Sequence, residues 1–407
     1  MTADQILLGV GLTLVLAVGS QALASRFRLP SIIVLLPIGF TAGALTDVIN
    51  PNRLLGPAFE PLVGLAVATI LYDAALDLDL NRLTGHTRRV VMRLLLSGAV
   101  LTCLSAALTA VVLLDMTSDA ALLLGAIVIV SGPTVVAPLL EFIRPSERVR
   151  HVLAWEGSLI DPLGAIFAAL VFHGVVSSAY PAPGTRVVQF LASIAVGLVG
   201  GVVGAALLWL ALRAFRLGEA LGTAAQLALV VATAAVCDIV RDGTGLIAAI
   251  VMGLAAANIR GYDIPARRPF FETLVQLIIG VLFIGIAATV APRTLAGLVL
   301  PTLVLVAVLV LIVRPLIAWL STLGTDLPGP ERAFVGWMAP RGIVAAATAS
   351  TFGASLASAG VGGAEKVLPV TFLVVVATVA VYGLTSPLVA RRLGVSRSAS
   401  RSWTATD

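Results

Sequence analysis

HVLAWEGSLIDPLGAIFAALVFHG, residues 151–174, is long and apolar enough to cross a bilayer as one helix. It nevertheless carries two carboxylates, Glu156 and Asp161. An ionisable group near the bilayer centre costs ~3 kcal/mol on insertion scales, so such a residue is either paired or kept for function. The fold depends on what surrounds this helix, and the function on what its acids do.

The rest of the chain belongs in the same solvent. Only 12% of the 407 residues are charged, 59% are hydrophobic, and mean hydropathy is +1.07. A soluble domain carries about 25% charged residues. Apolar runs recur along the whole length, separated by proline and glycine clusters or by charge pairs. They mark about thirteen spans, near 5–23, 30–48, 59–77, 89–113, 118–141, 148–174, 187–213, 219–238, 243–259, 267–291, 296–321, 331–354 and 366–390. The expected class is an all-α polytopic membrane protein. The first run has no basic leader and no small-residue cleavage site after it, so it reads as a span and not a signal peptide. Residues 1–394 form the membrane domain, and the polar, serine-rich 395–407 reads as a disordered cytoplasmic tail.

Basic residues test the span count. With thirteen helices, nineteen arginines fall on one side and five basic residues on the other, while Arg314 and Arg341 lie inside spans. Arg314 is expected to snorkel towards the basic side. The positive-inside rule then puts the N-terminus outside the cell membrane and the C-terminus in the cytoplasm. Arginine excess of this kind sets topology and gives no reason to expect nucleic acid. Cys103 and Cys237 lie in or beside apolar runs, and His86, His151 and His173 lack ligand spacing, so no disulfide, resident metal or cofactor is expected.

Two spans are interrupted. The fifth contains SGPTVVAPLL with Gly132, Pro133 and Pro138; the twelfth contains GWMAPRGIVAAA with Pro340 before Arg341. Proline removes a backbone donor and clashes with the preceding turn, so both helices should kink or unwind. Spans five and twelve differ by seven, so they run in opposite directions. That is what two inverted six-helix repeats around a linking seventh helix produce. Paired broken helices in matching places of two halves point to a transporter's central site.

Helix rise gives depth. Asp161 lies eleven residues beyond Arg150, ~16 Å in at 1.5 Å per residue, and Arg341 lies nine beyond Arg332, ~14 Å in. Glu156 and Asp161 differ by ~140° around their helix and do not share a face. The economical assignment pairs Glu156 with Arg341 and leaves Asp161 facing a cavity, where a proton and a monovalent cation compete for one charge. Unwound carbonyls of span five and the hydroxyls of Ser131, Thr134 and Ser158 would supply neutral oxygen ligands. Ser131 and Thr134 could equally bond the preceding turn of their own helix.

At these residues the chain resembles the monovalent cation:proton antiporter-1 family, the sodium/proton exchangers. The similarity runs from LPSIIVLLPIGFTAG (29–43) to YGLTSPLVARRLGV (382–395). The family's acidic helix is matched by Glu156, Gly157 and Asp161, its broken helix by Ser131, Gly132 and Pro133, and its second broken helix by GWMAPRGIVAA with Arg341. The runs 243–258 and 270–287 also look like it. The resemblance implies the sodium/proton antiporter fold with crossed broken helices and Asp161 as the sodium-binding acid. It also implies a Glu156–Arg341 pair and Ser131 in place of a ligating threonine. It implies a homodimer in lipid, with core helices about 89–174 and 296–390 moving against a dimerisation scaffold. Ile160 stands where the family usually has asparagine, and Gly132 where it usually has aspartate. With one titratable site acid, one-for-one electroneutral exchange is expected. The alternatives are potassium as the cation, an antiporter fold that senses without transporting, and an intramembrane aspartyl protease suggested by Tyr72–Asp73. No Gly-x-Gly-Asp partner supports the protease.

Overall fold

The computed structural model describes residues 2–27, 29–78, 85–178, 183–214, 218–259, 262 and 264–396. The first half comprises α1 (Ala3–Phe27), α2 (Ile32–Leu45), α3 (Pro51–Leu54), α4 (Phe59–Leu76), α5 (Gly85–Leu114), α6 (Ser118–Val128), α7 (Pro133–Ile143) and α8 (Glu147–Ser178). After α9 (Pro183–Ala214) come α10 (Glu219–Val240), α11 (Thr244–Asn258) and α12 (Ile264–Thr289). The last group is α13 (Val299–Val308), α14 (Arg314–Thr322), α15 (Gly329–Val335), α16 (Ile343–Ser358) and α17 (Val367–Arg392). Each of the thirteen apolar intervals holds a helix or a pair of helices. Among the described residues nine helices are long and apolar enough to cross a membrane, and α2, α6, α11 and α16 are shorter apolar helices. Large apolar side chains such as Leu7, Leu108, Ile239 and Leu384 face outward, 67–84% exposed, as lipid-facing surface requires.

The packing shows the inverted repeat. In the first half α2 lies against α12; its counterpart α11 lies against α4. Both contacts bring backbones together through glycine. A Cβ added at Gly39 or Gly43 would stand 2.8 or 2.5 Å from the Cα of Ile284 or Ala288, and one at Gly253 would stand 2.6 Å from the carbonyl oxygen of Tyr72. Small residues allow this because membrane helices associate by close packing and not by hydrophobic burial. The flanking glutamines repeat the relation. Gln21 of α1 donates to the Gln276 carbonyl of α12 at 2.7 Å, and Gln226 of α10 donates to the Tyr72 hydroxyl of α4 at 2.7 Å. These helices, with α9, form one packing group. The helices α5–α8 and α13–α17 form the other.

Both expected interruptions are present. Residues 129–132 separate α6 from α7, and 336–342 separate α15 from α16. Pro133 takes the first position of α7, where a missing N–H costs nothing, and Gly132 before it is extended (φ −68°, ψ 133°). Pro138 does not break the chain: α7 runs through it. The two breaks touch. A Cβ on Gly342 would lie 2.7 Å from the Cα of Gly132 and 2.9 Å from its nitrogen. The crossing therefore requires position 342 to lack a side chain.

One boundary needs correction. Val395 and Ser396, assigned by composition to a disordered tail, are held in place. Ser396 forms an isolated antiparallel bridge with Pro145, the Ser146 N–H donates to the Val395 carbonyl at 3.1 Å, and Val395 is buried. An apolar side chain with a backbone partner outweighs the polar residues after it. Residues 397–407 lie outside the described residues.

Candidate functional site

Asp161 is buried (2% exposed), and its Oδ1 has no hydrogen-bond partner among the described residues. It lies fourteen residues from the start of α8 and seventeen from its end, so ~21 and ~26 Å from the two ends. The face it occupies is fixed by a neighbour. Gly164, three residues on and on the same side of α8, lies so close to the break that an added Cβ would stand 2.7 Å from Val130 Cγ2. Asp161 thus looks towards the break between α6 and α7. Pro162 adds a further feature: it lies inside α8 without ending it. Having no N–H, it leaves the carbonyl of Ser158 without its usual helical partner. Ser158 is half-buried beside the acid.

Glu156 is buried as expected but pairs elsewhere. Its Oε2 accepts from Arg314 Nη2 at 2.8 Å, and its Oε1 accepts from Arg314 Nη1, a bidentate bridge between buried groups. The expected Glu156–Arg341 pair is therefore corrected to Glu156–Arg314. Arg314 does not snorkel; it is 5% exposed, and its Nε donates to the Val335 carbonyl at 3.1 Å. Depth explains the pairing. Glu156 is nine residues into α8, ~14 Å, and Arg314 is eight residues before the end of α14 on the same side, ~12 Å. A π-helical turn at Leu309–Val313 joins α13 to α14 directly before Arg314. Such a turn adds a residue to the helical circuit and re-aims the side chains after it, and it recurs at functional positions. Nothing in the apolar run LVLIV signals it. The depth count, applied to Arg314 as it was to Arg341, would have found the partner.

Arg341 serves the crossing instead. Its Nη1 donates to the Ile129 carbonyl at 2.8 Å, at the end of α6, where Pro133 leaves that oxygen without an N–H. Its backbone N–H donates to Thr378 Oγ1 at 3.3 Å, tying the second break to α17. A guanidinium at a helix C-terminus also complements the dipole there. Beside it lies a cavity of about 20 Å³, room for one water or small ion, lined by Thr102, Ser131, Glu156, Ile160, Arg314, Arg341 and apolar neighbours. Ser131 thus sits on the Glu156 side. Asp161 does not line this cavity, so the structure does not gather Ser131 and Asp161 around one space. The side chains of Pro133, Thr134 and Pro138 lie outside the described residues. Thr102 and Thr378, both buried, are further polar groups at this level, and nothing distinguishes them in sequence from other threonines among apolar neighbours.

Crossed broken helices with an unpartnered carboxylate at their level define a membrane transporter of small cations. The sodium/hydrogen exchanger transmembrane family matches residues 11–392, and the chain belongs to that family of monovalent cation/proton antiporters. It is not an enzyme. The chain is 28% identical over 410 residues to the K(+)/H(+) antiporter NhaP2 of Shewanella oneidensis, covering 96% of this chain and 68% of that protein. It is 27% identical to NhaP2 of Shewanella sp. strain ANA-3, covering 90% and 63%. It is 25% identical over 352 residues to Na(+)/H(+) antiporter 1 of Methanocaldococcus jannaschii, covering 84% and 82%. The chain therefore spans about two thirds of the Shewanella relatives' length. The solved structure of the sodium proton antiporter MjNhaP1 from M. jannaschii at pH 8 shares the fold, with a TM-score of 0.77 at 21% identity over 96% of this chain and 99% of that one.

Proposed function

We propose that the protein exchanges sodium for protons by alternating access, with the two ions competing for the Asp161 carboxylate. The observation that carries this reading is the buried Asp161, whose Oδ1 has no partner among the described residues and whose side of α8 meets the unwound backbone at Val130. A carboxylate left without a partner at that depth is stable only when something neutralises it, and a proton or a monovalent cation does so equally. Hard cations take oxygen ligands. The Ser158 carbonyl freed by Pro162 and the Ser158 hydroxyl, three residues from the acid on the same helix, supply neutral oxygens on this face, with the unwound backbone beside Val130 opposite; Ser131 lies on the Glu156 side and is not assigned to this cation. Glu156 and Arg314 cancel each other and stay out of the exchange. One titrating acid then supports one-for-one, electroneutral turnover. The resemblance adds a homodimer in the cell membrane, built on the group containing α1, α2, α4 and α9–α12, against which the Asp161 group moves. The arginine distribution supports an outside N-terminus and a cytoplasmic C-terminus.

A second reading replaces sodium with potassium, since curated relatives at 27–28% identity are potassium/proton antiporters. One assay separates the two. The protein is reconstituted in vesicles, a pH gradient is imposed, and sodium, lithium or potassium is added while internal pH is followed. Dissipation by sodium and lithium supports the first reading, dissipation by potassium the second, and no dissipation by any cation sinks both. A flux driven by membrane potential alone would overturn the electroneutral stoichiometry.

A further inference from the structure

The cavity beside Glu156 holds an imbalance that cation exchange does not use. Two guanidiniums border it, Arg314 and Arg341, against one carboxylate, Glu156. Arg314 and Glu156 satisfy each other with two hydrogen bonds. Arg341 is 6% exposed; it has a neutral carbonyl on Nη1 and, among the described residues, no partner on Nε. No carboxylate bridges it among the described residues, and Asp161 lies on another face of α8. The N-termini of α7 and α16, eleven and sixteen residues long, begin at the neighbouring Gly132–Gly342 crossing and offset the opposite dipoles of the α6 and α15 C-termini that end there, so the two arginines against one carboxylate remain the surplus. The remaining polar lining consists of the buried Thr102 and Ser131 hydroxyls. Both can donate.

We propose that this cavity binds a small monovalent anion of halide size, which accepts from Arg341 and from the Thr102 and Ser131 hydroxyls. A buried charge is tolerated when paired and hydrogen-bonded. Water would satisfy the donors but leave the charge. A cation meets a net positive wall. Ile160 closes the space with an apolar wall and brings no competing oxygen or amide. The anion is a fixed structural ligand, not cargo, so the inference stands apart from the exchange reading.

The test has two arms. The first is crystals of the full chain grown or soaked in bromide, read by anomalous scattering. The expected result is a peak in the cavity beside Arg341; a cavity holding water only, or an adventitious ion only on the surface, overturns the proposal. The second arm compares melting in sodium chloride and sodium gluconate at equal ionic strength and pH. A rise of about 2–4 °C in chloride is expected for the wild type, and equal melting overturns the proposal. Thr102→Val removes one donor and should shrink the chloride shift while exchange at saturating chloride persists; an undiminished shift overturns the assigned ligands. If that variant does not fold, Thr102→Ser keeps the hydroxyl and must keep the shift.

Discussion

Glu156 and Asp161 sit five residues apart on one helix and face opposite problems. Glu156 is held by two hydrogen bonds from Arg314, so removing the arginine leaves a buried charge alone. Arg314→Ala is expected to cost ~3–5 kcal/mol by thermal or denaturant unfolding. A double-mutant cycle should find coupling between Glu156→Gln and Arg314→Gln of ~2 kcal/mol or more, against little between Glu156→Gln and Arg341→Gln. Coupling of the reverse pattern would restore the pairing expected from sequence. Asp161→Asn should abolish exchange in vesicles to background while leaving the melting point unchanged or higher, because no partner loses a bond. A clear fall in melting point would mean the acid is structural. The two acids and their separation around the helix were legible from spacing alone. The partner was not, because Arg314 looked like a snorkelling end residue, and a π-helical turn inside five aliphatic residues leaves no trace in composition.

Among the elements, the broken helices were readable because proline and glycine have few other uses inside an apolar span. Which proline would open the chain was not readable: Pro133 starts a helix, whereas Pro138 sits inside one. The difference is position. A first-turn proline forfeits a bond that would not have formed, and an interior one forfeits one carbonyl's partner that a membrane helix re-satisfies locally. The crossing itself gives a sharp expectation. Gly342→Ala would put a methyl 2.7 Å from the Gly132 Cα, so the two breaks must part. Exchange should fall at least about tenfold, with a stability loss of ~1–3 kcal/mol from overpacking. Gly98→Ala, whose Cβ would meet Ile317 at an ordinary 3.8 Å, is the matched control and should keep wild-type rates in the same vesicles. The glycine contacts of α2 with α12 and of α11 with α4 were not legible in sequence. Glycine is common in membrane helices, and facing partners are set by tertiary packing.

At the scale of the whole molecule, the inverted repeat was legible from one odd number, the offset of seven between the interrupted spans. The two packing groups were visible as intervals, but their seam was not, since it depends on which faces meet. Exchange through one carboxylate makes a kinetic expectation. On the proposed reading protons and sodium bind Asp161 exclusively of each other, so lowering pH on the sodium side should raise the apparent KM for sodium and leave the maximal rate at saturating sodium unchanged. The rise approaches about tenfold per pH unit once the protonated form dominates. A KM independent of pH across the active range would mean that proton and cation occupy different groups.

The group that contains Asp161 is fastened at both ends. At one end Ser146 donates to Glu331 at 2.7 Å while Pro145 and Ser146 hold Ser396 and Val395. At the other, Thr117 donates to the Gly362 carbonyl at 2.7 Å and Lys366 to the Leu114 carbonyl at 2.7 Å. If the Asp161 group moves as proposed, a bundle buckled top and bottom would travel as a piston and not as a pair of jaws. Its stroke would then be taken up along its flank, where α8 and α16 pack on α4, α9 and α11. Friction along that flank, set by bilayer thickness and the tightness of its small-residue packing, then becomes the brake on turnover. An unbuckled variant such as Ser146→Ala would leak or stall without any change at the carboxylate.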